Sequence, residues 1–123
     1  MGLAKNIMGA GFSAQQAANT DWASTKTAIS AAGSTQATAT ALTADINLVG
    51  TASSLQGVQL YNGVVNDSMI VYNDNTGVTI MVYPPTGGAF NQLATNSGVQ
   101  LANNQMAEFF KVTSTRWIVQ LSA

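Results

Sequence analysis

The residues able to do acid–base or metal chemistry are few and scattered. The chain has no histidine and no cysteine. That removes the commonest general base, the commonest zinc ligands and the thiol nucleophile, and leaves nothing to form a disulfide. The carboxylates are Asp21, Asp45, Asp67, Asp74 and Glu108, each in a different predicted element. Asp67 and Asp74 bracket one predicted strand and are the pair that could meet a cation. Turn capping is the expectation for both. No carboxylate spacing supports a hydrolase pair. "GAGFSA", from Gly9, matches the G-x-G-x-x-A form of a nucleotide loop. No strand of useful length precedes it and no βαβ unit follows, so it reads as part of an arm. "NDS" at Asn66 is a glycosylation sequon in form alone. The expectation is a protein that is not an enzyme, with no catalytic residues, no cofactor and no metal.

The elements that carry these residues are built from an unusual composition. Of 123 residues, 46% are hydrophobic, enough for a core, and only 7% are charged, against about 25% in typical soluble proteins. Ser, Thr, Asn and Gln must wet the surface instead. Short neutral side chains lose little entropy when they are covered and present few ions to desolvate. Such a surface suits a protein buried in an assembly. Lys5, Lys26, Lys111 and Arg116 are dispersed and the net charge is −1, so no nucleic-acid partner is expected. No apolar run approaches the ~18 residues of a membrane span. No continuous apolar segment marks a signal peptide, and "MGLAKN" has Asn6 where a myristoylation site needs Ser or Thr.

The pattern divides the chain into an N-terminal docking arm, residues 1–33, and a β domain, residues 34–123. In the arm, Ser13 can cap a short helix, with Phe12 in the staple position and Ala14, Ala17 and Ala18 following. Its large apolar residues, Leu3, Ile7, Met8, Phe12 and Trp22, are the candidate capsid or partner contacts. Glycines at 2, 9 and 11 oppose a stable lone helix, so burial on a partner is expected to order the arm.

In the domain, "TQATATAL" alternates with period two and reads as a strand in preference to a helix. Further strands are expected in "DINLVGT", "GVQLY", "DSMIVYN", "GVTIMVY", "GVQLA", "QMAEFFKVT" and "TRWIVQL", separated by polar turns. "SMIVYNDNTGVTIMVY" reads as a hairpin bending at Asn73 to Gly77. The fold class expected is mainly β, an antiparallel β-sandwich or barrel-like domain with a short, partly helical arm. In the last strand Trp117, Val119 and Leu121 share the core face, and Ile118 and Gln120 the other. "MIVY" and "TIMVY" are apolar on both faces, which places them centrally or at an interface and motivates a homotrimer.

The only two prolines stand together in "MVYPPTGGAFN". Pro84 ends a strand because it has no N–H to donate, and it holds Tyr83 extended. Pro85 stiffens the exit, and Gly87 and Gly88 permit a sharp reversal. Tyr83, Pro84, Pro85, Gly87 and Gly88 thus form a structural corner or, as the alternative, a recognition corner.

"VYNDNTGVTIMVYPPTGGAFNQLA", "VQLANNQMAEFFKV" and "STRWIVQLSA", preceded by "SAAGSTQATATALTADIN", resemble a β module of small tailed-bacteriophage virion proteins. The resemblance covers about two thirds of the chain. It implies a trimer-prone structural virion protein, without catalytic residues to carry over. Among the roles it allows, a compact domain with a docking arm fits capsid decoration (cement). Its partners would be the major capsid protein and itself, with location on the capsid exterior after assembly in the host cytoplasm. A head fibre, a tail fibre or a carbohydrate-binding adhesion module is the alternative. A glycan partner would require Tyr83, Phe90 or Trp117 to be exposed.

Overall fold

The computed structural model describes residues 24–122. The helix expected after Ser13 and the candidate contacts Leu3, Ile7, Met8, Phe12 and Trp22 lie outside the described residues. Within them the strands are β1 (Thr25–Ser30), β2 (Thr40–Ala41), β3 (Ile46–Thr51), β4 (Gly57–Gln59), β5 (Ser68–Asn73), β6 (Ile80–Tyr83), β7 (Ala89–Phe90), β8 (Val99–Leu101), β9 (Met106–Lys111) and β10 (Arg116–Leu121). Six form one sheet in the order β1-β3-β5-β9-β10-β7, and four form a second in the order β2-β4-β6-β8.

The chain alternates between the two sheets from β1 to β9, and only β9 and β10 follow one another in the same sheet. β1, β3 and β5 are therefore parallel, as are β2, β4 and β6. This winding is a short β-solenoid, closed by antiparallel β9 against β5, β10 against β9 and β8 against β6. The expectation of an antiparallel sandwich or barrel is corrected: the domain is mainly β in two sheets, but its first coils are parallel. Parallel neighbours need a crossover of a dozen or more residues. Here a strand of the opposite sheet supplies it, so the spacing of short strands looks the same as in a sandwich.

Three local expectations change with it. The hairpin at Asn73–Gly77 does not form, because β5 and β6 belong to different sheets. The segment is a corner of the solenoid, held by the buried Asn73 side chain. Its Nδ2 donates to the Val78 carbonyl at 2.7 Å and the Leu101 carbonyl at 3.0 Å, and its Oδ1 accepts from the Thr76 hydroxyl at 2.7 Å. "TQATATAL" is mostly not strand. Gln36–Thr38 form one 3-10 turn and only Thr40–Ala41 pair, because the Thr35 and Thr38 hydroxyls bond each other locally at 2.8 Å and side-chain bonding of this kind competes with a ladder. Finally, β1 begins inside the range 1–33 read as the arm. Ile29 and Ala31 enter the core, so residues from Thr25 onward belong to the domain sheet.

The core lies between the sheets. Val49, Met69, Val71, Ala107, Phe109 and Trp117 from the larger sheet face Val58, Ile80, Val82 and Leu101 from the smaller. Phe90 and Phe109 meet with ring centroids 5.1 Å apart. "MIVY" and "TIMVY" are central, as expected: β5 lies between β3 and β9, and β6 between β4 and β8. The alternation expected in β10 also holds at its start, with Trp117 buried and Ile118 exposed.

Candidate functional site

Among the described residues the carboxylates do not converge. Asp67 and Asp74 stand just beyond opposite ends of β5, a separation on the order of 20 Å at strand rise, so they share no cation. Asp67 caps its own turn, its Oδ2 accepting from the Val64 amide at 2.9 Å. Asp45 Oδ2 accepts from the Ser24 amide at 3.0 Å, and Asp45 Oδ1 accepts from the Tyr61 hydroxyl. Burial first, then the Asp45 carboxylate, push the Tyr61 phenol well above its ordinary pKa, which keeps it a donor. Among the described residues no three metal-ligating side chains come together, and no helix is long and apolar enough to cross a membrane.

Lys111 is the most demanding polar group. It is only 5% exposed, on β9. Its ammonium donates to Asn62 Oδ1 at 3.0 Å and the Gly63 carbonyl at 2.7 Å, and lies 5.8 Å from the centroid of the Trp117 ring. Two carbonyl oxygens and an aromatic face replace the water that a buried cation loses. The arrangement latches the loop after β4 onto β9. Lys111→Met keeps the aliphatic stem and removes the donors. It is expected to lower stability by about 1.5–3 kcal/mol, the range for hydrogen bonds to charged groups. Hydrogen exchange at the Asn66 amide, which bonds the Lys111 carbonyl at 2.8 Å, should accelerate. Unchanged exchange there would show that Lys111 does not hold the loop.

The proline corner is stitched inward. Tyr83, Pro84, Pro85 and Gly88 are buried, and Gly87 is exposed with φ +87°. The Pro84 carbonyl accepts from Gln36 Nε2 at 2.8 Å and Gln59 Nε2 at 3.3 Å. Asn96 Oδ1 accepts from the Gly87 amide at 2.7 Å and Gln36 Nε2 at 3.1 Å. A Cβ on Gly88 would come within 3.0 Å of the Pro85 carbonyl. The Tyr83 ring lies against Gly57 and Gly98, where a Cβ would approach it within 2.6 and 2.9 Å. These glycines begin the two "GVQL" stretches, Gly57–Leu60 and Gly98–Leu101, which lie on either side of β6. That short repeat is the signal in the sequence for this packing. The corner offers Thr86 and Gly87 to solvent and little else.

Exposed apolar surface gathers elsewhere. Val64, Val65, Leu93, Phe110, Val112 and Ile118 are exposed. Phe110 and Ile118 are cross-strand partners. The turn holding Val64 and Val65 reaches β9 through the Asn66 bond to Lys111. Val112 and Ile118 line an open groove of ≈ 520 Å³ with Asn91, Gln92, Thr113 and Arg116. The groove pairs aliphatic contact with neutral amides, the Thr113 hydroxyl and one cation, and its lining has no carboxylate. Tyr83, Phe90 and Trp117 are all buried, so none is available as a flat stacking platform.

No family model matches this chain, and no curated protein matches it.

Proposed function

We propose that the protein is a structural component of a phage particle, a capsid decoration protein that binds the outer surface of the shell and bridges capsid subunits. The single observation that carries the reading is the exposed apolar cluster around β9 and β10, Val64, Phe110, Val112 and Ile118, on a chain with only 7% charged residues. A patch of this kind drives association more readily than it serves solubility. The phage-module resemblance of the same segment supports the particle setting. The buried Tyr83, Phe90 and Trp117 remove the feature that a carbohydrate-binding alternative needs most. Copies associate as a homotrimer, and the arm's Leu3, Ile7, Met8, Phe12 and Trp22 seat on the major capsid protein or an adjacent copy.

The full chain, mixed with undecorated capsids, should co-sediment and saturate at a fixed ratio of copies to capsid subunits. Absence of saturable binding would sink the decoration reading. Replacing Leu3, Ile7 and Phe12 together by Ser should abolish co-sedimentation while leaving the β-type circular dichroism unchanged. Full occupancy by this variant would move the contact from the arm to the domain.

A further inference from the structure

We propose that the edge of β10 beyond Trp117, which pairs with no strand among the described residues, pairs with the same edge of a second copy, antiparallel about a two-fold axis near Leu121, so that the six-stranded sheet continues from one copy into the next. The two edges of that sheet are built differently. At one end, β1 carries Lys26, breaks register with β3 on both sides of Ile29, and holds Ala28 at φ 55°. A bulge and a charge are devices that discourage edge pairing. At the other end, β7 is two residues long and covers only Arg116 and Trp117. The Asn91 side chain then accepts from the Val119 amide at 2.9 Å. Beyond it the chain turns back, with the Asn96 amide bonding the Gly88 carbonyl at 2.7 Å.

What remains of β10 is regular and uncharged, "IVQL", paired with β9 through Leu121 without a bulge. Arg116 and Ser122 exchange their bonds with β9. Backbone direction alternates along a strand, so the amide and carbonyl of Leu121 and the carbonyl of Val119 point outward. An antiparallel two-fold centred on Leu121 satisfies both of its groups reciprocally, amide to carbonyl in each direction. The side chain agrees. Leu121 belongs to the inward row of Trp117 and Val119, yet it is 43% exposed. A neighbouring β10 covers it and extends the core row across the contact. The contact is short, so the pairing is concentration-dependent. It does not depend on the capsid reading.

The test is the mass of the full chain by light scattering across a concentration series, with hydrogen exchange read at the Leu121 amide. The wild type should show a species whose mass falls by half, to the trimer proposed above or to a single chain where no trimer forms, in Leu121→Pro, which removes the outward amide and breaks no bond to β9, and in Leu121→Lys, which places charge at the contact with the backbone intact. Thr27→Lys, on the opposite edge, should leave the mass unchanged. The Leu121 amide of the wild type should grow more protected as concentration rises. Masses unchanged in both Leu121 variants overturn the pairing. So does a Leu121 amide that exchanges equally fast at low and high concentration, and this reading stands even if a variant fails to fold.

Discussion

Trp117→Ala should unfold the domain at temperatures where the parent chain is intact. Trp117 is 1% exposed and lies in the same cluster as Phe90 and Phe109, and removal of a buried aromatic costs ~3–5 kcal/mol. A domain of this size has a total stability of only ~5–15 kcal/mol, and each kcal/mol moves its melting point by ~4–8 °C. The expected fall is therefore roughly 12–40 °C. A second loss adds to the first, because the Trp117 ring is also the face over which the Lys111 ammonium sits. Trp117→Phe should recover part of the packing and part of that cover. Thermal melts of the parent and both variants decide the matter. A Trp117→Ala melt within a few degrees of the parent would mean that the core closes over the gap and that the ring is not its anchor.

The residues show why some of this was legible in advance. Burial of alternate side chains leaves a period-two mark, so β3, β5, β9 and β10 could be placed, as could the end of β6 at the prolines. Partner choice leaves no such mark. A strand that crosses to the opposite sheet and one that returns as a hairpin both need a polar turn, and "NDNTG" serves either. The decisive residue is Asn73, which in a hairpin would sit at the rim but here points into the interior. β1 was missed because only Ile29 of its six residues is buried, and β7 because two residues carry no period. The exposed cluster at β9 and β10 was not foreseeable. Phe110 and Ile118 are brought together by the antiparallel pairing of β9 with β10, and the turn with Val64 and Val65, more than forty residues earlier, reaches β9 only through the Asn66 bond to Lys111.

Asn73 is also where a single change should show whether the solenoid corner is held as described. Its amide binds two carbonyls, one in the β5–β6 corner and one at the end of β8. Its backbone carbonyl accepts from the amides of Asn75 at 3.1 Å and Asn104 at 2.9 Å. One residue thus joins β5, β6 and β8 through their turns. Asn73→Ala leaves the Leu101 carbonyl without this donor inside the domain and opens a small void. A buried group deprived of its partner costs about 1–3 kcal/mol, and the Val78 bond adds to the loss, so a fall of about 2–4 kcal/mol is expected. Asn73→Asp separates the hydrogen bonds from the shape. The carboxylate keeps the acceptor for Thr76 but turns a second oxygen toward the two carbonyls, where the amide donated. At neutral pH this variant should be the less stable of the two, because a buried charge faces acceptors with no cation beside it. Burial raises the folded-state pKa of such a carboxyl above the ~3.9 of the unfolded chain. The folded form then binds the proton more tightly, so the variant's stability should rise as pH falls from the raised value toward the unfolded one. The protonated acid has a hydroxyl to donate, as the amide did. Urea denaturation of the parent, Asn73→Ala and Asn73→Asp at neutral and mildly acidic pH measures both effects. If Asn73→Asp loses stability on acidification in step with the parent, the side chain does not donate inward and the corner is held by its backbone bonds alone.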